Sequence, residues 1–408
     1  MSAGGVLTFE QAYDFVLQYC RKLKPRGQEP AAISNALGRV LAEPVLADRD
    51  FPPFPRATRD GYAVRCSDLR IIPAQLRVAG QVKAGSSYSG SVHEGEAVSI
   101  MTGAPVPASA DAVVMVEYTR REGDKVEIQR GCASGENIVP QASEARAGQE
   151  MLAPGTRLSF PQIAICAAVG SSTVAVYKKP KVAILATGDE LVELSAQPQR
   201  HQIRNSNTYS LAAQVALAGG DPVPLPVAPD DKQSLTELIR QGLSADLLLL
   251  SGGVSMGEFD LVESVLHELA AQFFFTGVQM QPGKPVVFGE AQGNAGSTPF
   301  FGLPGNPVST MVTFDLFARP VLHALSGAVP VRLPSAKARL AKELKTRTGL
   351  TRFLPGLLRG DLFQPEVEIV PWQGSGDIQA AARANCYVVV PPDRESIPAG
   401  EMISILLR

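Results

Sequence analysis

Four consecutive leucines, residues 247–250, constrain this chain more than any other feature. The run has no period-2 alternation, so it reads as a strand buried on both faces, as in a parallel sheet. It stops at Ser251-Gly252-Gly253, where glycine can take backbone angles closed to other residues. Residues 258–270 then read as a helix whose apolar positions are Phe259, Leu261, Val262, Val265, Leu266 and Leu269. Strand, glycine turn and helix make a ready anion site, because free N–H groups and the positive end of the helix dipole face the turn.

Two further turns share this character. Pro304-Gly305-Asn306-Pro307 opens a helix expected over 308–317, and Gln281-Pro282-Gly283-Lys284-Pro285 follows a strand expected over 273–278. Upstream, residues 181–186 read as the first strand of the same unit, ending in Thr187-Gly188-Asp189-Glu190. Helices over 207–218 and 234–241, the second begun by Asp230-Asp231, alternate with a strand over 223–227. This order predicts an α/β unit of three layers around a mostly parallel sheet. In such sheets ligands lie outside the carboxyl ends of the strands, where all three turns fall.

Asp189, Glu190 and Asp260 stand in these strand-end loops, and Asp231 stands at a helix start. Hard carboxylates without His or Cys partners suit Mg²⁺, which takes one or two of them and completes its shell with water and phosphate. Lys284 offers a point charge to the same phosphate. The turn N–H groups of Gly252, Gly253 and Gly305 can hold further oxygens. Each acid has an alternative use as a helix cap or a local ion-pair partner. No His lies in these loops, which removes a Ser-His-Asp arrangement, and neither a Walker A loop nor a GxGxxG after the first strand is present.

The remainder is of other kinds. Thr8 with Gln11 forms a capping box ahead of a helical stripe of Ala12, Phe15, Val16, Tyr19 and Cys20. A second, shorter helix is expected over 31–42. Three prolines in 52–55 lead into Arg59-Asp60-Gly61, which presents Asp60 on a stiff turn, either as a functional carboxylate or as a plain turn cap. Short strands are expected over 76–82, 97–101, 112–118 and 125–129, with Thr102 in a loop as a hydroxyl donor or an ST-turn. Residues 160–169 read as a helix and 172–176 as a strand. The last eighty residues show short apolar runs at 367–370, 387–390 and 403–406 between Pro/Gly turns, which suggests a small β-barrel or sandwich. The expected units are therefore 1–50 with 136–177 (mixed), 51–135 (a β-rich insertion), 178–328 (α/β) and 329–408 (the barrel).

A net charge of −2 gives no general pull toward nucleic acid or anionic membrane. No apolar run approaches the ~20 residues of a membrane helix, and the first residues lack a secretory pattern. Five scattered cysteines, an odd number with no CxxC, fit a reducing cytoplasm. Four scattered histidines leave no zinc pattern.

Taken together, residues 52–64 (PPFPRATRDGYAV), 100–107 (IMTGAPVP), 186–191 (ATGDEL), 251–260 (SGGVSMGEFD), 282–285 (PGKP) and 302–309 (GLPGNPVS) resemble the MoeA/gephyrin family, the molybdopterin molybdenumtransferases. The resemblance runs through nearly the whole chain in the family's order. It implies a homodimer of four-domain subunits, with the α/β unit as the molybdopterin-binding domain. The substrates it implies are adenylylated molybdopterin and molybdate, with Mg²⁺ as the metal, cleavage of the phosphoanhydride and release of AMP.

By the same resemblance, Asp60 and Thr102 match functional positions that face the partner subunit's site. Asp189, Glu190 and Asp260 match metal ligands, and Asp189, Asp231 and Asp260 also match pterin-nucleotide positions. Gly188, Ser251, Gly252, Gly253, the turn Pro304, Gly305, Asn306 and Pro307, and Ser375 match substrate contacts, with Lys284 as the phosphate cation. A molybdopterin adenylyltransferase is an implied partner.

Several family cations are replaced here. The family's Arg-rich segment reads Ile138-Val139-Pro140-Gln141-Ala142-Ser143-Glu144. A frequent Lys is Gln281, and in the terminal module the usual Arg is Leu350, with Arg352 close by, and a further basic position is Pro355. Arg59, Arg65 and Arg146 are candidates to take their place. The departures bear on turnover, molybdate affinity and metal preference rather than on fold. Two other activities are therefore kept beside the insertase: a weakly catalytic paralogue that holds the pterin or bridges partners, and a molybdopterin adenylyltransferase. Tungstate in place of molybdate is also open.

Overall fold

A computed structural model describes residues 5–253, 261–294, 296–329, 332–361 and 363–408. The expected helix start at Glu258 and the candidate Asp260 lie outside the described residues. At the centre is a six-stranded sheet: β1 Lys181–Ala186, β2 Asp221–Pro224, β3 Leu247–Ser251, β4 Gln272–Phe275, β5 Val287–Gly293 and β6 Gly296–Leu303. Their spatial order is β2-β1-β3-β6-β5-β4. Strands β2, β1, β3 and β6 are parallel, and β5 and β4 add an antiparallel edge.

The leucine run explains the layering. Val182, Ile184, Leu247 and Leu249 point into one apolar cluster, and Ala183, Leu185, Leu248 and Leu250 into another. Helices α1 Asn207–Leu217 and α4 Pro307–Thr313 cover the first face, and α2 Lys232–Gly242 and α3 Leu261–Glu268 the second. Each leucine from 247 to 250 is fully buried, which is worth roughly 1.5–3 kcal/mol apiece relative to exposure.

Beyond α4 the helix does not stop near 317. It continues through a π-helical turn, Phe314–Ala318, into α5 Arg319–Leu325. Pro320 has no N–H to give the carbonyl four residues back, and the widened turn lies immediately before it.

The terminal module is a closed five-stranded barrel. Thr351–Gly360 pairs with Pro365–Ile369, which pairs with Ser335–Leu340, then Met402–Leu407, then Cys386–Val390, which returns to Thr351–Gly360. The strand expected over 273–278 is in fact two strands in two sheets. Gln272–Phe275 edges the α/β sheet, whereas Gly277–Gln281 pairs with the barrel strand Thr351–Gly360 and, in parallel, with Val6–Thr8. A side chain at Gly277 would crowd Val6.

The capping box at Thr8 forms as expected, with reciprocal bonds to and from Gln11. The helix it opens, Phe9–Cys20, buries Ala12, Tyr13, Val16, Tyr19 and Cys20 against the α/β core, away from the N-terminal residues grouped with it above. Residues 31–42 are not a helix. Gln28–Ala32 is a strand paired with Thr173–Tyr177, followed by one 3₁₀ turn, Ile33–Asn35. Pro30 and Gly38 (φ +76°) break a helix that the alanines alone would favour.

The insertion is a six-stranded β-rich sheet. Next to one edge strand, between Ala112–Met115 and Glu96–Ile100 and unforeseen as a strand, lies Gly61–Val64, with every residue buried. Among the described residues, no helix is long and apolar enough to cross a membrane.

Candidate active site

The chain leaves β1 for β2 on one side and comes back to β3 on the other. The connections that follow β1 and β3 therefore run to opposite sides while the strands themselves stay paired, and a crevice opens outside their carboxyl ends. It holds a cavity of about 880 Å³, walled by Thr187 and Gly188 after β1, Ser251, Gly252 and Gly253 after β3, and Pro304, Gly305, Asn306 and Pro307 after β6. Thr187 N–H donates to Ser251 O at 3.1 Å, and Gly252 N–H to Leu303 O at 3.3 Å, which fixes neighbouring turns edge to edge. Gly252 has φ +90°, and a Cβ there would sit 2.8 Å from Thr187 O, so only glycine fits.

Asn207, the first residue of α1, ties two of these turns together. Its Nδ2 donates to Ser251 Oγ at 2.9 Å and to Gly305 O at 2.7 Å. Its Oδ1 is buried with no hydrogen-bond partner among the described residues. A buried orphan acceptor on a cavity wall calls for a donor from a ligand. Arg204, Asn205 and Ser206 line the same wall. Sequence reading missed this group, although the polar run Arg204-Asn205-Ser206-Asn207 before an apolar helix was a usable signal.

The acids divide by task. Glu190 and Asp230 line the cavity. The Glu190 carboxylate folds back over Gly188, where a Cβ would stand 2.4 Å from Oε2. Asp189 does not line the cavity; its Oδ1 accepts from Asp230 N–H at 3.1 Å. Asp231 does not line it either. Its carboxylate caps α2, accepting from Ser234 N–H at 2.9 Å, and hydrogen bonds from Ser234 hold its pKa below the ordinary range. Among the described residues no three His, Cys, Asp or Glu converge on one point. The exposed carboxylates of Glu190 and Asp230 on an open wall suit Mg²⁺, which needs only one or two protein ligands beside phosphate and water.

Two more chambers continue the cleft toward the barrel. One of about 310 Å³ is bordered by Lys284, Pro304, Asn306, Ser309, Leu350, Trp372 and Ser375. Val308 N–H donates to Ser375 O at 2.9 Å, which ties the barrel's loop to the first turn of α4. The next, of about 620 Å³, is lined by Gln281, Lys345, Arg347, Leu350, Arg352 and Trp372, among others. Gln281 and Arg352 are partners in the strand register. Arg352 Nε donates to Gln281 Oε1 at 3.0 Å and Nη1 to Leu350 O at 3.1 Å, with a further bond to Arg347 O. Gln281 and Leu350 thus meet around one fixed guanidinium.

Asp60 and Thr102 come together elsewhere, on the insertion. Asp60 Oδ1 accepts from Thr102 N–H at 2.7 Å and from Thr102 Oγ1 at 3.1 Å, and both residues are exposed. Neither lines the cleft of its own chain. Glu144 pairs with Arg56 at 3.1 Å.

Three family models match the chain in sequence. They are "MoeA N-terminal region (domain I and II)" over residues 7–170, "Probable molybdopterin binding domain" over 183–324 and "MoeA C-terminal region (domain IV)" over 337–407. A protein of Nostoc sp. named molybdopterin molybdenumtransferase is 35% identical over 384 residues, covering 91% of this chain and 86% of that one. A Haemophilus influenzae protein of the same name is 33% identical over 404 residues, 98% of each chain. Among solved structures, the molybdopterin biosynthesis moeA protein from Pyrococcus horikoshii OT3 superposes with a TM-score of 0.79 at 29% identity, over 99% of this chain and 100% of that one.

Proposed function

Since the chain belongs to the MoeA family of molybdopterin molybdenumtransferases, we propose that it inserts molybdate into adenylylated molybdopterin and releases AMP. The observation that carries this reading is the continuous cleft. Its three chambers share Pro304, Asn306, Gln281, Leu350 and Trp372 along their borders. A long anionic substrate fits along such a path, with its phosphates over the glycine turns and Lys284 in the middle chamber. The orphan Oδ1 of Asn207 would accept a ring N–H or amino hydrogen of the substrate.

In the proposed reaction water attacks the pterin-side phosphorus of the anhydride, the bridging P–O bond breaks, AMP leaves with both electrons of that bond, and the attacking water's proton passes to solvent. Molybdate gives up one oxygen, released as water with the two thiol protons, as the two pterin sulfurs take its place. The turn amides and Lys284 hold the phosphate oxygens in line. Mg²⁺, held by Glu190 and Asp230 with Asp189 and Asp260 as further candidates, would lower the charge on the anhydride. The Asp60–Thr102 pair acts on the cleft of a second subunit, with Asp60 orienting the attacking oxygen, so the working form is a homodimer. This reading places the enzyme in the cytoplasm and gives it a molybdopterin adenylyltransferase as supplier of its substrate.

The test is AMP release from adenylylated molybdopterin, with and without molybdate and Mg²⁺. Molybdate-stimulated release supports the insertase. Tight binding of the pterin nucleotide without release above background would sink it in favour of a binding paralogue, a reading that the loss of cations at Gln281 and Leu350 motivates. ATP consumption with free molybdopterin would point instead to adenylyl transfer.

A further inference from the structure

A separate cavity of about 290 Å³ shares no lining residue with the cleft. Its wall includes Arg157 from the N-terminal region, Asp315, Arg319 and His323 from the π turn and α5, and Arg332 from the segment leading to the barrel. Three arginines thus face one aspartate. Arg157 gives its Nη1 to Gly38 O at 3.0 Å and its Nη2 to Ala218 O at 3.1 Å. Those carbonyls take two of its five N–H groups and do not neutralise its charge. Arg332 pairs with Asp14 at 2.8 Å. Arg319 is only half-buried, and among the described residues its guanidinium has no hydrogen bond and no ion pair.

The single acid does not balance this wall. Asp315 is 9% exposed, and its carboxyl oxygens accept from Tyr387 Oη at 3.0 Å and Gln214 Nε2 at 3.2 Å. Burial pushes its pKa up, which disfavours the charged form. His323 reports the same excess: burial first, then Arg157 and Arg319, push its pKa down to about 3, so it is neutral at pH 7. Like charges gathered at the rim of a partly dry void, with a guanidinium left over, are costly unless an anion completes them. Planar guanidinium groups match tetrahedral oxyanions through paired hydrogen bonds. The volume sits at the lower edge of small-ligand pockets, about 300 Å³.

We propose that this cavity binds a tetrahedral oxyanion, as free phosphate or as the phosphate of a small monoester, with Arg319 as its principal ligand and Arg157 and Arg332 flanking. The site lies where the N-terminal region, the α/β unit and the barrel segment meet. An anion held there bonds all three and stabilises the folded chain by linkage.

The His323 imidazole, whose NMR signal is identified by its loss in His323→Gln, lines this cavity and none of the cleft's chambers, so it serves as the local reporter. Inorganic phosphate and AMP are each titrated into the full-length protein while that NMR signal is followed. The expected result is a saturable shift whose affinity falls at least tenfold in Arg319→Gln, falls less in Arg319→Lys, and is unchanged in the cleft variant Lys284→Ala. Tighter binding by AMP assigns the monoester, and tighter binding by phosphate assigns the free ion. A His323 signal unmoved by either probe, or equal affinity in wild type and Arg319→Gln, overturns the proposal. Should Arg319→Gln fail to fold, Arg332→Gln at the exposed rim serves instead: weakening of threefold or more supports the site, and wild-type affinity overturns it.

Discussion

The α/β cleft and the Asp60–Thr102 turn are both polar groups mounted on tight turns beside buried strands, yet only one is enclosed. The cleft's turns rest on fully buried leucines and surround a cavity. The Asp60 turn rests on an equally buried strand, Gly61–Val64, but faces open solvent. In the proposed reading a carboxylate held by two hydrogen bonds and open to solvent is half of a site that a second subunit completes. The difference teaches that rigidity and enclosure are separate achievements, and that the insertion supplies the first and lacks the second within one chain.

The sharpest way to break this comparison is Asp60→Asn. Thr102 N–H keeps an acceptor, so the thermal midpoint should hold while molybdate-stimulated AMP release falls by about 10²–10⁴-fold, the usual share of a positioned acid–base group. A fall of less than threefold would reduce Asp60 to a turn cap. Mixing Asp60→Asn with Lys284→Ala subunits sharpens it further. If Asp60 serves the other subunit, each mixed dimer contains one cleft with both groups intact, and AMP release returns above that of either variant alone. No recovery would mean that each cleft draws both residues from the same subunit.

Next in size come two glycines. Gly61→Ala should destabilise the protein by about 1–3 kcal/mol through overpacking, because the new Cβ would lie 1.9 Å from Val114 O. Gly305→Ala should leave stability near wild type, since its nearest neighbour would be Gly252 Cα at 3.6 Å. Denaturant titration of the pair checks whether the insertion's turn is the tighter of the two.

The smallest effect is expected at Asp231. Asn caps a helix as well as Asp does, so Asp231→Asn should leave AMP release within about twofold of wild type. Its carboxyl is held below the ordinary pKa by Ser234. It therefore contributes stability above its unfolded value that is lost as pH falls through the folded value. The substitution should flatten that acid limb of the stability curve. Asp230→Asn, by contrast, should raise the Mg²⁺ concentration needed for half-maximal release, and equal Mg²⁺ curves for the two variants would erase the division between cap and cavity wall.

What could be read in the sequence follows from what sequence patterns encode. The leucine run announces a strand covered on both sides, and the structure covers it with two apolar clusters. Apolar pattern says that a residue is buried but not what buries it. Hence 31–42, expected as a helix, holds the end of a strand and one 3₁₀ turn, and the strand expected over 273–278 divides between two sheets at Gly277. Acids at helix starts have the same ambiguity. Asp230 and Asp231 are neighbours of one type, and only the helix geometry decides that Asp231 caps while Asp230 faces the cavity. The polar run before α1 was a usable signal for Asn207, but its role as the tie between the Ser251 and Gly305 turns depends on contacts 44 and 98 positions away, which no local pattern encodes.

The strand Gly277–Gln281 also limits how this protein can be cut. It is joined covalently to the α/β unit, yet it pairs on one side with the barrel and on the other with Val6–Thr8. A chain truncated before residue 335 would keep that two-stranded ribbon and lose its neighbour, leaving a bare row of N–H and C=O groups open to pairing with another copy. Family models divide the chain into separable regions, but the hydrogen bonds do not. The barrel covers the strand at Met280 and Gln281, where truncation would leave backbone groups without their partners.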